Sequence, residues 1–281
     1  MIASALALLI MQVGPNPSLD AFPGVPEELR ERPPRPGTQA AGPPPALSPS
    51  GEKLAECVNL ARGDAEAATD YAQRWRETAA DQLELAQSAH CLGLALVRQG
   101  DLADAQQAFD LATGEVPAGL PAYQARLAGM SGNAAMAQGK PAIAEIAFGR
   151  AVGFATDAAD APLLASVSID RARALVALER MDEAALALSN ARGNDPANAT
   201  AWLLSATLSR RLERLGEARE QIAQAALLAP QDPAVGLEAG VIAALSGREE
   251  EARRSFESVL LVAPDSEEAT KARSYLEQLQ S

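Results

Sequence analysis

Aromatic side chains are scarce in this chain: five Phe, three Tyr and two Trp in 281 residues. A core around one bulky centre is therefore not expected, and the 62 alanines point instead to a core mainly of Ala and Leu, with helices packed closely in thin layers. There is one histidine, His90, which removes His-rich zinc sites and most hydrolase triads, since both need an imidazole as ligand or base. Cations are in deficit as well, 24 Lys and Arg against 37 Asp and Glu, for a net charge of −13. Phosphate backbones and anionic membrane surfaces are held by clustered cations, so neither nucleic acid nor a membrane surface is an expected partner. Chemistry-bearing motifs are missing too: no zinc-protease helix, nucleophile elbow or dinucleotide fingerprint occurs. The run Gln138-Gly139-Lys140-Pro141 resembles half a phosphate loop, but Ala134 stands where a glycine is needed and Pro141 replaces the magnesium-binding hydroxyl. The acidic run at 249–251 reads as a solvated helix start. No enzymatic activity, cofactor or metal is expected.

The first 50 residues have a composition of their own. Residues 2–13 form an apolar run of the length of a signal-peptide core, shorter than the roughly 20 residues that span a bilayer. Residues 1–18 thus read as a possible signal peptide, which would make the protein periplasmic or secreted. The missing Lys or Arg before the run and the absence of a small-x-small cleavage site leave a cytoplasmic location as the alternative. No Cys lies nearby to carry a lipid anchor. Of the 19 prolines, 11 fall in the first 50 residues, and proline fixes φ and removes a donor, so residues 19–50 read as a disordered Pro-rich linker. That segment contains four acids and three arginines, so residues 51–281 carry −12 of the net charge.

Beyond it an internal period organises the chain. Ala184, Leu188, Ala191 and Pro196 recur as Ala218, Ile222, Ala225 and Pro230, and again as Ala252, Phe256, Val259 and Pro264, in steps of 34 residues. Upstream, Ala105, Phe109, Ala112 and Pro117 repeat the pattern, as do Ala144, Phe148 and Ala151, at steps of 39 and 40. The surplus residues are assigned to lengthened turns at 114–122 and 156–162. Twelve residues before each leading Ala stands a small residue: Gly93, Gly132, Ala172, Ala206 and Gly240. Two helices cross closely only where side chains are minimal, so each unit is expected to be a helical hairpin touching at this pair of small slots. Gly100, Gly139 and Gly247 fall between the helices, where a left-handed cap residue is wanted.

These residues resemble the tetratricopeptide repeat family, with its Leu-Gly, Ala-x-x-x-Phe and Pro signature. Leu92-Gly93 and the Ala/Phe/Ala/Pro sets match it, and Trp202 fills the Trp slot in one unit. The Tyr slot departs, holding Leu96, Ala135, Leu175, Ser209 and Ala243. The resemblance implies an all-α solenoid of stacked hairpins forming a right-handed superhelix. Five units are assigned, at 86–119, 125–158, 165–198, 199–232 and 233–266. A degenerate first hairpin covers 51–85, with its turn at Gly63-Asp64, and a capping helix follows at 267–281.

In this family the first helices of successive units line a concave groove that holds an extended peptide or a partner's helix. The corresponding slots here are Gln87, His90, Leu94, Arg126, Asn133, Met136, Ile169, Arg173, Thr200, Leu203, Thr207, Arg210, Leu237 and Val241. Arg126, Arg173 and Arg210 fall on this face in successive units, where they can fork onto a partner's carboxylates. The implied function is a non-enzymatic scaffold binding a protein or peptide partner, in the bacterial envelope if the chain is exported. A structural or assembly role through self-association is the alternative. Cys57 and Cys91 leave a further choice open. An even count in an exported chain favours a disulfide, but strict register would place equivalent positions about 8–10 Å apart, beyond the Cα reach of a disulfide of about 7 Å. The three-residue shift inferred at Gly63 can close that gap; otherwise both are buried thiols.

Overall fold

The computed structural model describes residues 48–279. The possible signal peptide and all but the last residues of the Pro-rich segment lie outside that range. The described residues form thirteen helices and no strand: α1 Pro49–Gly63, α2 Ala65–Glu77, α3 Gln82–Gln99, α4 Leu102–Glu115, α5 Pro121–Ala137, α6 Pro141–Asp157, α7 Ala161–Ala177, α8 Met181–Asn194, α9 Ala199–Arg211, α10 Leu215–Leu228, α11 Pro233–Leu245, α12 Glu249–Val262 and α13 Glu267–Gln278. They are six hairpins and a closing helix. Each helix packs on its sequence neighbours. First helices of neighbouring hairpins also touch, α1 with α3, α5 with α7 and α9 with α11. The second helices show no comparable packing on one another among the described residues, so the first helices line the crowded, inner side of the stack.

Helix boundaries follow local chemistry. Ser48, Asp81, Asp160, Asn198, Asp232 and Ser266 each cap a hairpin's first helix or the closing helix, the side-chain oxygen accepting from a first-turn amide. Pro49, Pro121, Pro162 and Pro233 sit in first turns, where a missing N–H costs nothing. The Pro-rich segment therefore ends two residues short of the expected 50, because Pro49 starts a helix under the Ser48 cap. Five hairpins turn through a left-handed residue, Gly100, Gly139, Glu179, Glu213 and Gly247, with φ between +60° and +87°. Each turn is closed by the next amide bonding back to the carbonyl five residues earlier, Asp101 to Leu96 and Arg180 to Leu175 among them.

The longer steps of 39 and 40 residues are spent differently from the expectation. Most of the surplus is helix: α3, α5 and α7 run 17 or 18 residues against 13 for α9 and α11, and begin four residues before the assigned unit starts. An Asp cap or a Pro at N1 pulls that extra turn into the helix.

The core is rich in alanine, with one large residue at a recurring position of each second helix from α4 to α12. Ala105, Ala144, Ala184, Ala218 and Ala252 are each wholly buried. They sit beside Phe109, Phe148, Leu188, Ile222 and Phe256, all 6% exposed or less. The small slots of the first helices receive these side chains. A Cβ built on Gly93, Gly132 or Gly240 would stand 2.5, 2.5 and 2.3 Å from the facing Phe ring. Where the facing residue is Leu188 or Ile222, the slot is Ala172 or Ala206. Glycine is thus required where the ring needs the helix backbone itself as its floor.

The degenerate first hairpin is tied on by several bonds. Cys57 of α1 and Cys91 of α3 are joined by a disulfide, their Cα atoms 5.9 Å apart. The turn after α1 is offset so that α2 starts 37 residues before α4, which places Cys57 one helical turn along from the slot equivalent to Cys91. This offset supplies the reach that strict register lacks. Glu84 at the start of α3 accepts from Lys53 Nζ of α1 at 2.8 Å, from Trp75 Nε1 of α2 at 3.2 Å and from the Ala80 amide. Those donors hold its carboxyl below the usual range, the Lys53 bond most of all.

Candidate partner-binding face

Three rows of residues run along the first helices, in register with the small slots. One holds Leu94, Asn133, Arg173, Thr207 and Val241; one holds His90, Ile169, Leu203 and Leu237; one holds Met136, Val176 and Arg210. The structure does not leave all of them free. Gln87 and His90 are buried, at 9% and 8% exposure. Tyr123, in the extra first turn of α5, lies over His90 with ring centroids 5.8 Å apart and its hydroxyl 3.0 Å from Nδ1. The turn gained from the longer step thus seals this end of the face. His90 Nε2 and Gln87 Oε1 are enclosed with no hydrogen-bond partner. Burial pushes the His90 imidazole down to about 4 and the Tyr123 hydroxyl above its ordinary value. Ile169 belongs to the core at 5% exposure, while Leu94, Met136, Leu203, Leu237 and Val241 pack half-buried against core clusters. Asn133 and Thr200 are exposed.

The three arginines expected to await a partner are engaged within the chain. Arg126 faces Asp160 at 3.6 Å, Arg173 bonds Asp170 one turn earlier at 2.6 Å, and Arg210 of α9 forks onto Glu238 of α11. Asp170 and Glu238 share one repeat position on their helices, so the fold supplies a carboxylate beside two of the three.

One stretch of the face stays open. Between α7 and α9 a cleft of about 180 Å³ is walled by Val176, Leu188, Leu204 and Leu208, with Arg173, Thr207 and Arg211 at its edges. Its volume compares with the roughly 150 Å³ cavity that accepts a benzene-sized group. Arg211 is exposed and makes no ion pair with a described residue. Sequence reasoning reached Arg173 and Thr207 but missed Val176, Leu204, Leu208 and Arg211. Val176 was legible from the period, since it occupies the slot of Met136 and Arg210. Leu204 and Leu208 carry no such signal, because an apolar residue at helical spacing reads equally as core. Among the described residues no group of three or more His, Cys, Asp or Glu is placed to hold a metal ion. No described helix is long and apolar enough to cross a membrane.

No family model matches the chain, and no curated protein does. Solved structures do. PilF of Pseudomonas aeruginosa aligns with 81% of this chain and 100% of its own, at a TM-score of 0.61 and 14% identity. A tetratricopeptide repeat protein from Parabacteroides merdae aligns with 69% of this chain and 73% of its own, at a TM-score of 0.58 and 17% identity. The fold is that of a tetratricopeptide-repeat solenoid. YrrB, described as a tetratricopeptide repeat protein with an unusual peptide-binding site, aligns with 75% of this chain and 99% of its own, at a TM-score of 0.52 and 20% identity. At these identities the likeness is one of solenoid architecture.

Proposed function

We propose that this solenoid is a non-enzymatic interaction scaffold that seats an extended peptide or helix of a protein partner along its first helices. The α7–α9 cleft carries this reading: it is an apolar recess of side-chain size on the inner side, with an unpaired Arg211 at its mouth. It suits a partner segment in which an apolar anchor precedes an acidic residue, the first filling the recess and the second meeting Arg211. The shared fold with a protein described as having a peptide-binding site supports the same reading. A random peptide array probed with the wild type and with Thr207→Trp, which fills the cleft, tests it. Apolar-acidic sequences should be enriched by the wild type and lost with the variant; equal enrichment by both removes the cleft as the site.

We further propose that the chain is exported to the bacterial envelope. The Cys57–Cys91 disulfide supports this, because such bonds persist in oxidising compartments. Thiol alkylation of the protein from fractionated cells should find both cysteines blocked in the periplasmic or secreted fraction; free thiols in a cytoplasmic fraction would refute export. A second reading, assembly through self-association, rests on Leu227 and Leu261, one repeat apart on α10 and α12 and 76% and 84% exposed. A molecular weight by light scattering that stays monomeric across a hundredfold concentration range removes it.

A further inference from the structure

The cleft uses one side of α9. The other side carries Trp202, Ser205 and Ser209, which helical spacing turns away from Leu203, Thr207 and Arg210. There Arg192, in the last turn of α8, lays its guanidinium 4.8 Å over the centre of the Trp202 ring. The ring is itself held, its indole N–H donating to the Pro196 carbonyl at 2.9 Å. Arg192 has no hydrogen-bond or ion-pair partner among the described residues, and its Nε is enclosed without an acceptor. The other half-buried arginines, Arg76, Arg171, Arg210, Arg248 and Arg253, each donate to a carboxylate or a carbonyl. Arg192 alone among them makes no hydrogen bond or ion pair with a described residue; the Trp202 face and the charge of Glu217 offset part of its desolvation, and its N–H donors stay unspent.

Two recesses open on it, of about 130 and 630 Å³, and both are lined by Arg192, Glu217 and Gln221. Gln221 uses its carbonyl oxygen to accept from Ser209 at 2.8 Å, which leaves its amide N–H groups as donors beside the guanidinium. We propose that this recess is a second partner site, a carboxylate pocket on the side of α9 opposite the cleft, which takes an Asp or Glu side chain of a protein. The guanidinium edge receives the two carboxylate oxygens while the indole fixes its plane. Glu217 and Glu220, also on the wider recess, repel a doubly charged phosphate more strongly than a singly charged carboxylate, which Arg192 must hold against them.

The site lies apart from Arg173 and Arg211, but its narrower recess shares Leu188 and Leu208 with the cleft, so Arg211→Glu is the control that tells the two sites apart. Two tryptophans make Trp202 a usable reporter, its indole resonance assigned through Trp202→Phe. The probes are acetyl-Gly-Glu-Gly-amide, its Gln counterpart and inorganic phosphate, titrated into the full chain. The Glu peptide should shift the Trp202 indole signal saturably and the Gln peptide should not. Affinity should fall at least tenfold in Arg192→Lys, vanish in Arg192→Gln, and persist in Arg211→Glu. Arg192→Gln relieves a desolvated charge and gives up its contact with Trp202, so its melting temperature should stay within a few degrees of the wild type, which separates loss of the site from loss of the fold. An equal response to the Gln peptide, saturation by phosphate instead of the peptide, or binding that survives Arg192→Gln would each overturn the proposal.

Discussion

At the residue scale, the strongest internal regularity is the pairing of slot and ring: Gly93 with Phe109, Gly132 with Phe148, Gly240 with Phe256, but Ala172 with Leu188. The ring's edge occupies the space a Cβ would take, so a methyl there forces a packed ring to move. Gly132→Ala should cost about 1–3 kcal/mol in denaturant unfolding, and adding Phe148→Leu, which recreates the Ala172–Leu188 pair, should recover most of it. Non-additivity in that double-mutant cycle is the signature; simple addition would mean the contact is not the cause. Glu179 and Glu213 hold φ of +60°, a conformation that strains a side chain. Both are exposed. Glu179→Gly and Glu213→Gly should each stabilise by about 0.5–1 kcal/mol, since relief of strain exceeds the added entropy of the unfolded chain. His90 gives a pH dependence. Its folded pKa, about 4, lies below that of an unfolded His near 6.5, so on acidification the unfolded state takes the proton first. Stability is full above about pH 6.5 and declines as pH falls towards 4, by up to about 3 kcal/mol. Glu84, whose pKa is also depressed, extends the loss to lower pH. Urea titrations at stepped pH should show the upper part of this slope flattened in His90→Gln, while the Glu84 part remains.

At the scale of elements, α1 depends on cross-links more than on packing. It buries only Cys57 and Ala61 and is held by the disulfide, Lys53 to Glu84, and Glu56 to the Tyr71 hydroxyl. Closing a loop of 34 residues lowers the entropy of the unfolded chain by an amount worth about 3–4 kcal/mol. Cys57→Ser with Cys91→Ser should therefore speed hydrogen exchange in α1 and α2 while α5 to α12 keep their protection. Uniform loss of protection would show instead that the stack unfolds as one unit. The starts of α9 and α11 were legible in single residues, Asn198 and Asp232, each a side-chain acceptor ahead of an apolar periodicity. The extra turns of α3, α5 and α7 were not, because 39- and 40-residue steps say how much chain is inserted but not whether a cap draws it into a helix.

At the scale of the molecule, stability is a sum over neighbouring hairpins, and the last one needs α13. Tyr275 stacks on Phe256 at 5.3 Å, and Ala269 and Ala272 are wholly buried against α11 and α12. Truncation before Glu267 should lower the midpoint of unfolding and deprotect α11 and α12 first, with α3 to α6 unaffected in exchange experiments; an even loss would contradict nearest-neighbour stacking. The sequence by itself determined the hairpin, its repeat and its small-slot contacts, because each of these is satisfied within a unit or by the next one and so leaves a period of 34 to read. Which part of the inner face is open was decided only in three dimensions. Tyr123 reaches His90 across 33 residues, Arg210 finds Glu238 across 28, and Cys57 finds Cys91 across 34. Such pairings depend on the length of each first helix and on the offset between units, and these determine whether a side chain on the face meets a partner protein or its own neighbour.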